Sequence, residues 1–314
     1  MKKLALLLVA ACLCLLAQAY DIVVAQDGSG SFTTIQEAIS SVRDYRPEGE
    51  VRIFIKKGVY REKVVVASQK THITLIGEDV DSTILTHNDH AKVNNMGTFK
   101  TYTLLVQASD FRAENLTVEN NAEQLGQAVA VHVEGDRAVF VNCKFLGSQD
   151  TLFTGNSDSR QLYKSCYIEG TTDFIFGPAT AWFESCTLHS KKNSYITAAS
   201  TPEQHKFGYV FHRCTLTAAA GVDNVYLGRP WRAFAAVAFI SCRLGAHIRP
   251  GGWDNWRSAE NEKTARYFEY KNTGAGAAAA QRVPWSHQLT DQQAEAYTVE
   301  NALQGCDGWH PASK

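Results

Sequence analysis

Six segments of this 314-residue chain share one pattern: an aromatic residue, two variable positions, a small or polar residue, one more position, then an aliphatic or aromatic side chain. Five carry cysteine at the fourth place: Phe140 to Phe145 around Cys143, Tyr163 to Ile168 around Cys166, Phe183 to Leu188 around Cys186, Phe211 to Leu216 around Cys214, and Phe239 to Leu244 around Cys242. The earliest, Phe111 to Leu116, has Glu114 there. The unit returns after 29, 23, 20, 28 and 28 residues. Recurrence at this interval marks a solenoid, because one unit cannot bury its apolar face alone and must stack on the next. Each unit holds short β-rich runs, such as Ala128 to Val133 and Ala138 to Val141, divided by Gly, Asn and Asp without helical periodicity. The fold class is therefore all-β, a single chain wound into a parallel β-helix.

Equivalent residues of successive coils stack about 4.8 Å apart, so the aromatic, cysteine and aliphatic positions should form interior ladders. Thr34-Ile35-Gln36-Glu37 reads as a capping box, and Ile35, Ala38, Ile39 and Val42 keep helical spacing. A short helix there would cover the N-terminal end of the core. Beyond Leu244 the repeat fades. The Trp-rich stretch 251–256, the small-residue run 274–280 and a helical tail over 290–303 are expected to wrap the coil rather than form a second domain.

The first residues stand outside this scheme. Lys2 and Lys3, the apolar run Leu4 to Leu16 and Ala17-Gln18-Ala19 read as an export signal over 1–19, with the β-helix domain over 20–314. A lipid-bearing Cys12 after Val9-Ala10-Ala11 is the minor alternative. The address is thus secreted or periplasmic. No run is long enough to span a bilayer. Without residues 1–19 the chain has 29 basic and 32 acidic residues, and that balance gives no support to nucleic-acid binding. Six cysteines remain, none at C-x-x-C spacing, and no H-x-x-x-H occurs, so a metal site is not expected; His87-Asn88-Asp89-His90 reads as a polar loop. The cysteine ladder reads as packing, since free cysteine buries well. If any pair bonds, it is Cys166 with Cys186, which the shortest interval separates. The sequon Asn115-Leu-Thr117 falls in a repeat strand, where glycosylation is not expected.

Chemistry is indicated at one place. Asp150 lies seven residues after Cys143, and Asp173 lies seven after Cys166. The repeat therefore stacks two carboxylates on neighbouring turns, where like charge disfavours joint ionisation and drives their pKa values apart. That separation lets one site hold an acid beside a base or nucleophile. Apolar neighbours, Leu152 on one side and Phe174-Ile175-Phe176 on the other, imply partial desolvation. Arg229, in Leu227-Gly-Arg-Pro-Trp231, could grip one carboxylate with two donors and hold it ionised. Gln127 opens an apolar strand, an unusual place for an amide unless it points into a site. Singly, these are ordinary loop anchors and surface amides.

Together the segments resemble the pectin methylesterases. Asp27 to Ile39, Gly58-Val-Tyr-Arg-Glu62, Gln127 to Val131, Gln149-Asp-Thr-Leu152, Asp173-Phe-Ile-Phe-Gly177 and Leu227 to Trp231 are similar to that family's signatures, in order, and the likeness spans 21–310. It implies a right-handed coil and hydrolysis of methyl esters on galacturonate units of homogalacturonan, giving pectate and methanol without metal or cofactor. It further implies Asp173 as nucleophile, Asp150 as proton donor and then general base, Gln127 and Gln149 as oxyanion donors, and Arg229 as the group orienting Asp173. Thr98 and Trp231, with Gln127 and Arg229, would meet the substrate, pectin; for Thr98 the resemblance is the sole ground. A monomer is expected. The chain lacks the long N-terminal inhibitor-like region of many plant relatives, as a compact bacterial-type secreted form would. The loops 86–95 and 200–206 match nothing in the family and are expected near the groove.

Rival readings differ in kind. A lyase of the same coil would need a calcium-binding acidic cluster, and a polygalacturonase would show G-H-G and R-I-K segments, which are missing here. A retaining glycosidase also sets its carboxylates about 5 Å apart. A non-catalytic polysaccharide-binding coil would be expected to have lost Asp150, Asp173 or Arg229.

Overall fold

The computed structural model describes residues 20–47 and 49–311. The expected export signal and Cys12 lie outside these residues. Among the described residues, strands form three parallel sheets of eleven, eight and seven members, and every neighbouring pair in them is parallel. Each full turn gives one strand to each sheet in a fixed order. One turn, for example, places Ala138–Val141 in the eleven-stranded long sheet, Lys144–Leu146 in the eight-stranded middle sheet and Leu152–Thr154 in the seven-stranded sheet, called the site sheet below.

The repeat explains the first corner. Only two residues separate the long-sheet strand from the middle-sheet strand at each cysteine-bearing turn. The first of the two is left-handed every time: Asn142, Ser165, Ser185, Arg213 and Ser241 have φ between 49 and 54°. Asn115, at 53°, does the same before Leu116. A single αL residue turns the chain sharply, and its amide bonds the next coil, as Ser165 N does to Glu184 O at 2.9 Å. The cysteine that follows points inward.

The interior ladders form as expected. Phe140, Tyr163, Phe183, Phe211 and Phe239 stack in succession with centroid separations of 5.1, 4.7, 4.5 and 4.5 Å. Offset stacking of this kind adds about 0.5–1.5 kcal/mol per pair to area burial. Among the described residues the cysteines are all free, as the packing reading expects, and the alternative Cys166–Cys186 bond is not formed. Each inner thiol leans toward the preceding coil and donates to a carbonyl there: Cys166 Sγ to Phe140 O, Cys186 Sγ to Tyr163 O and Cys214 Sγ to Phe183 O. Parallel side-chain vectors bring the Cα atoms within disulfide range but do not aim the sulfurs at one another. Burial pushes the thiols of Cys143, Cys166, Cys186 and Cys214 well above their ordinary value.

The ends are closed by different means. The helix Ile35–Ser41 buries Ile35, Ala38 and Ile39. Thr34 accepts from Glu37 N, but Glu37 takes the Thr34 hydroxyl rather than the cap amide, so the expected box is half formed. Glu62 completes the cap by accepting from Ile35 N and Gln36 N, which gives the Gly58–Glu62 segment its structural purpose. At the far end the coil outlasts the cysteine pattern. Arg266–Tyr270 and His287–Gln288 extend the long sheet, and Trp253 continues the aromatic stack between Phe239 and Tyr267. Arg282 and Glu269, each 3% exposed, form a bidentate pair there. The tail has two short helices, Asp291–Ala294 and Val299–Leu303, instead of one. It lies on the outer face of the long sheet, where Leu303 joins Val139, Leu162 and Trp182 and Asp307 bonds Arg137 and Arg160.

Candidate active site

The chemistry gathers where the middle sheet turns into the site sheet. Asp150 and Asp173 occupy equivalent places on adjacent turns: Leu152 pairs with Ile175, and Asp150 N donates to Thr172 O at 3.1 Å. Both have positive φ, 67 and 50°, a conformation that aspartate tolerates better than most residues. Backbone held this way at a site is a form of stored strain that the surrounding coil must enforce. Gln127 and Gln149 form a parallel bridge one step before the aspartates, so the two amides also lie on neighbouring turns.

The outward row of the site sheet runs Leu105, His132, Phe153, Phe176, Ala198, Arg229. Arg229 starts two coils beyond Asp173, and the methyl group of Ala198 leaves room for its side chain to reach back. Its Nε donates to Asp173 Oδ1 at 3.0 Å and its Nη2 to Oδ2 at 2.6 Å, the expected two-donor grip. Tyr195 and Trp256 were not foreseen. Their ring centroids lie 3.9 and 3.8 Å from the guanidinium carbon.

Electrostatics separate the two acids. Both are more than nine-tenths buried, at 7% exposure for Asp150 and 6% for Asp173. Burial raises the Asp150 pKa well above the ordinary carboxylate range, and the charge of Asp173 adds to this. Burial also raises Asp173, but Arg229 draws it back. The guanidinium thus reduces the shift without cancelling it. Asp150 is pushed up further than Asp173, so Asp173 is the first of the two to ionise. Asp254, a further carboxylate beside Arg229, opposes ionisation of Asp173 and was not anticipated either.

An aromatic surface flanks the pair. Phe153 meets Phe99 at 4.9 Å, His132 at 4.7 Å and Phe176 at 4.8 Å, and Phe176 meets Trp231 at 5.9 Å. Thr98 opens the short turn that carries the exposed Phe99 to this surface. Loop 86–95 borders it, with Ala91 N bonded to Gln127 O, whereas loop 200–206 is held by Arg266 through Pro202 O and His205 O. Asp89 of the His87–His90 segment is engaged by Lys63 at 2.6 Å. No cluster of three metal-ligating side chains occurs among the described residues, and none of their helices is long and apolar enough to cross a membrane.

A partly desolvated aspartate pair, an arginine clamp and an aromatic face on the outside of a parallel β-helix define a class of carbohydrate-acting enzymes. A model described as Pectinesterase matches residues 21–306. Over 285 residues the chain is 43% identical to Pectinesterase 31 of Arabidopsis thaliana, covering 86% of this chain and 88% of that one. Among solved structures, pectin methylesterase from carrot superposes with a TM-score of 0.87 at 31% identity, over 91% and 93% of the two chains. A pectin methylesterase in complex with hexasaccharide VII gives 0.80 at 30% identity, over 94% and 99%. The chain belongs to the pectinesterase family, a family of carboxylic ester hydrolases.

Proposed function

We propose that this protein hydrolyses the methyl esters of homogalacturonan through Asp173 and Asp150. The observation that carries the assignment is the asymmetric pair: two stacked carboxyls, of which one alone is gripped by a guanidinium. Asp173, ionised, attacks the ester carbonyl carbon. The tetrahedral oxyanion takes hydrogen bonds from the amides of Gln127 and Gln149, and losing one such donor typically costs about 10²–10³ in rate. Collapse breaks the bond to the methoxy oxygen, to which Asp150 gives its proton, releasing methanol and leaving an acyl-enzyme. Asp150, now a base, takes a proton from water; the hydroxide cleaves the mixed anhydride, giving the pectate carboxyl and restoring Asp173. Trp231 offers a flat face to a neighbouring sugar, and Thr98 meets the chain at the other end of the aromatic surface. All these groups come from one chain, so a monomer suffices. Residues 1–19 direct export to the place where pectin is met.

Asp173→Asn tests this reading. It keeps side-chain volume, so circular dichroism and pectin binding should be unchanged while methanol release disappears. Activity near wild type would remove Asp173 from its role. Viscosity followed in parallel separates an esterase, which leaves polymer length intact, from a glycosidase or lyase.

A further inference from the structure

The clamp on Asp173 has a support of its own. Trp256 and Arg257 are consecutive non-glycine residues with φ of 57 and 58°, a conformation that side chains with a Cβ seldom adopt. The strained step is held locally: Trp256 N donates to Asp254 Oδ1 at 2.8 Å, and Ser258 N to Asn255 O at 3.2 Å. Its effect is to lay the indole of Trp256 against one face of the Arg229 guanidinium, at 3.8 Å, while Tyr195 covers the other at 3.9 Å. Tyr195 follows Asp173 in the stacked row, since Asp173 N bonds Tyr195 O at 2.8 Å, and its own ring is backed by Tyr226 at 5.0 Å. A guanidinium covered on both faces can bond only along its edge, and that edge meets Asp173. Strain of this kind points to a functional constraint more than to packing.

We infer that Trp256 and Tyr195 are positioning residues that hold Arg229 in the plane of the Asp173 carboxylate, and that the left-handed Trp256-Arg257 step exists to bring the indole there. The inference rests on Asp173 being the nucleophile. It differs from a sugar platform, because both rings spend a face on arginine. The charged and titratable groups facing Asp173 are Arg229, Asp150 and Asp254, with the phenols of Tyr195 and Tyr267. Of these only Arg229 favours ionisation, so loosening it leaves the others to oppose the charge.

The test is full pH profiles of methanol release for Trp256→Ala and Trp256→Phe. Trp256→Ala should lower kcat about tenfold or more with KM changed little, and move the acid limb upward; Trp256→Phe, which restores a ring face, should recover most of both. A rise in KM with kcat and acid limb unmoved would make the indole a sugar-stacking surface and overturn the inference. If Trp256→Ala does not fold, Tyr195→Leu is read by the same criteria. Asp173→Asn run alongside separates the failures. Activity surviving in that variant sinks the nucleophile assignment, whereas its loss beside an unmoved acid limb in Trp256→Ala sinks the positioning role alone.

Discussion

Replacing Arg229 by lysine keeps a positive charge and removes nearly everything else the site uses. The guanidinium makes two in-plane bonds to Asp173, at 3.0 and 2.6 Å, and stacks between two rings at 3.9 and 3.8 Å. An ammonium can keep one of those bonds but cannot lie flat between the rings. A hydrogen bond to a charged group is worth about 1.5–3 kcal/mol, and a cation–π contact about 0.5–2 kcal/mol. Arg229 is only half-buried, so the lower part of the summed range applies, a loss of about 2–4 kcal/mol. That converts to about a 30- to 1,000-fold fall in kcat/KM. The loss should fall mainly on kcat, since the grip acts on the nucleophile, and the acid limb should rise as Asp173 becomes harder to ionise. Methanol release from highly methylated pectin, followed from acid to alkaline pH, measures both. A kcat/KM within threefold of wild type would show that charge alone suffices and that the planar grip is irrelevant.

Other consequences can be checked independently. Wild-type activity should fall in acid at a pH above the ordinary aspartate value of 3.8, because burial raises Asp173 and its ionised form is needed; a limb at or below that value would contradict this. Activity should fall again toward alkali as Asp150, raised further still, loses the proton it must donate, so a profile flat on that side would exclude Asp150 as the acid. Alkylation of native protein lacking residues 1–19 should label Cys306 alone, and labelling after denaturation without reductant should reach all six thiols; a total of four would restore a disulfide. Glu269→Ala should destabilise the protein by about 3–5 kcal/mol, since it strands Arg282 in the closed end of the coil. A melting temperature lowered by less than about 2 °C would refute that, given about 2–4 °C per kcal/mol for chains of roughly this size.

What the sequence revealed followed its periodicity. The two aspartates were found because equal offsets from Cys143 and Cys166 survive wherever the intervening chain has equal length. Tyr195 belongs to the same stacked row but escaped, because its turn reaches the paired register two residues later: Ile175 pairs with Thr197, and they lie nine and eleven residues after their respective cysteines. Trp256 and Asp254 sit in a loop beyond Cys242, the last cysteine of the repeat, where no pattern ties position to geometry, and a Trp-rich stretch there reads equally well as wrapping. The alternative of a Cys166–Cys186 disulfide is not realised for a related reason. A repeat fixes how close two Cα atoms come, yet identical residues in identical conformations point in parallel, and sulfurs that point in parallel do not meet. The final long-sheet strands were hidden because Trp253 and Tyr267 take over the stack without a cysteine beside them.

The two-residue corner after each long-sheet strand has an evolutionary corollary. It acts as a gauge that resets every lap to the same starting point, so the length variation between laps falls on the strands and on the other two corners. One of those corners carries the aspartates. Insertions there can reshape the trough, lengthen its rim or change what it grips while the spool beneath keeps its pitch. A designer seeking altered pectin preference should graft at that corner and leave Asn142, Ser165, Ser185, Arg213 and Ser241 alone.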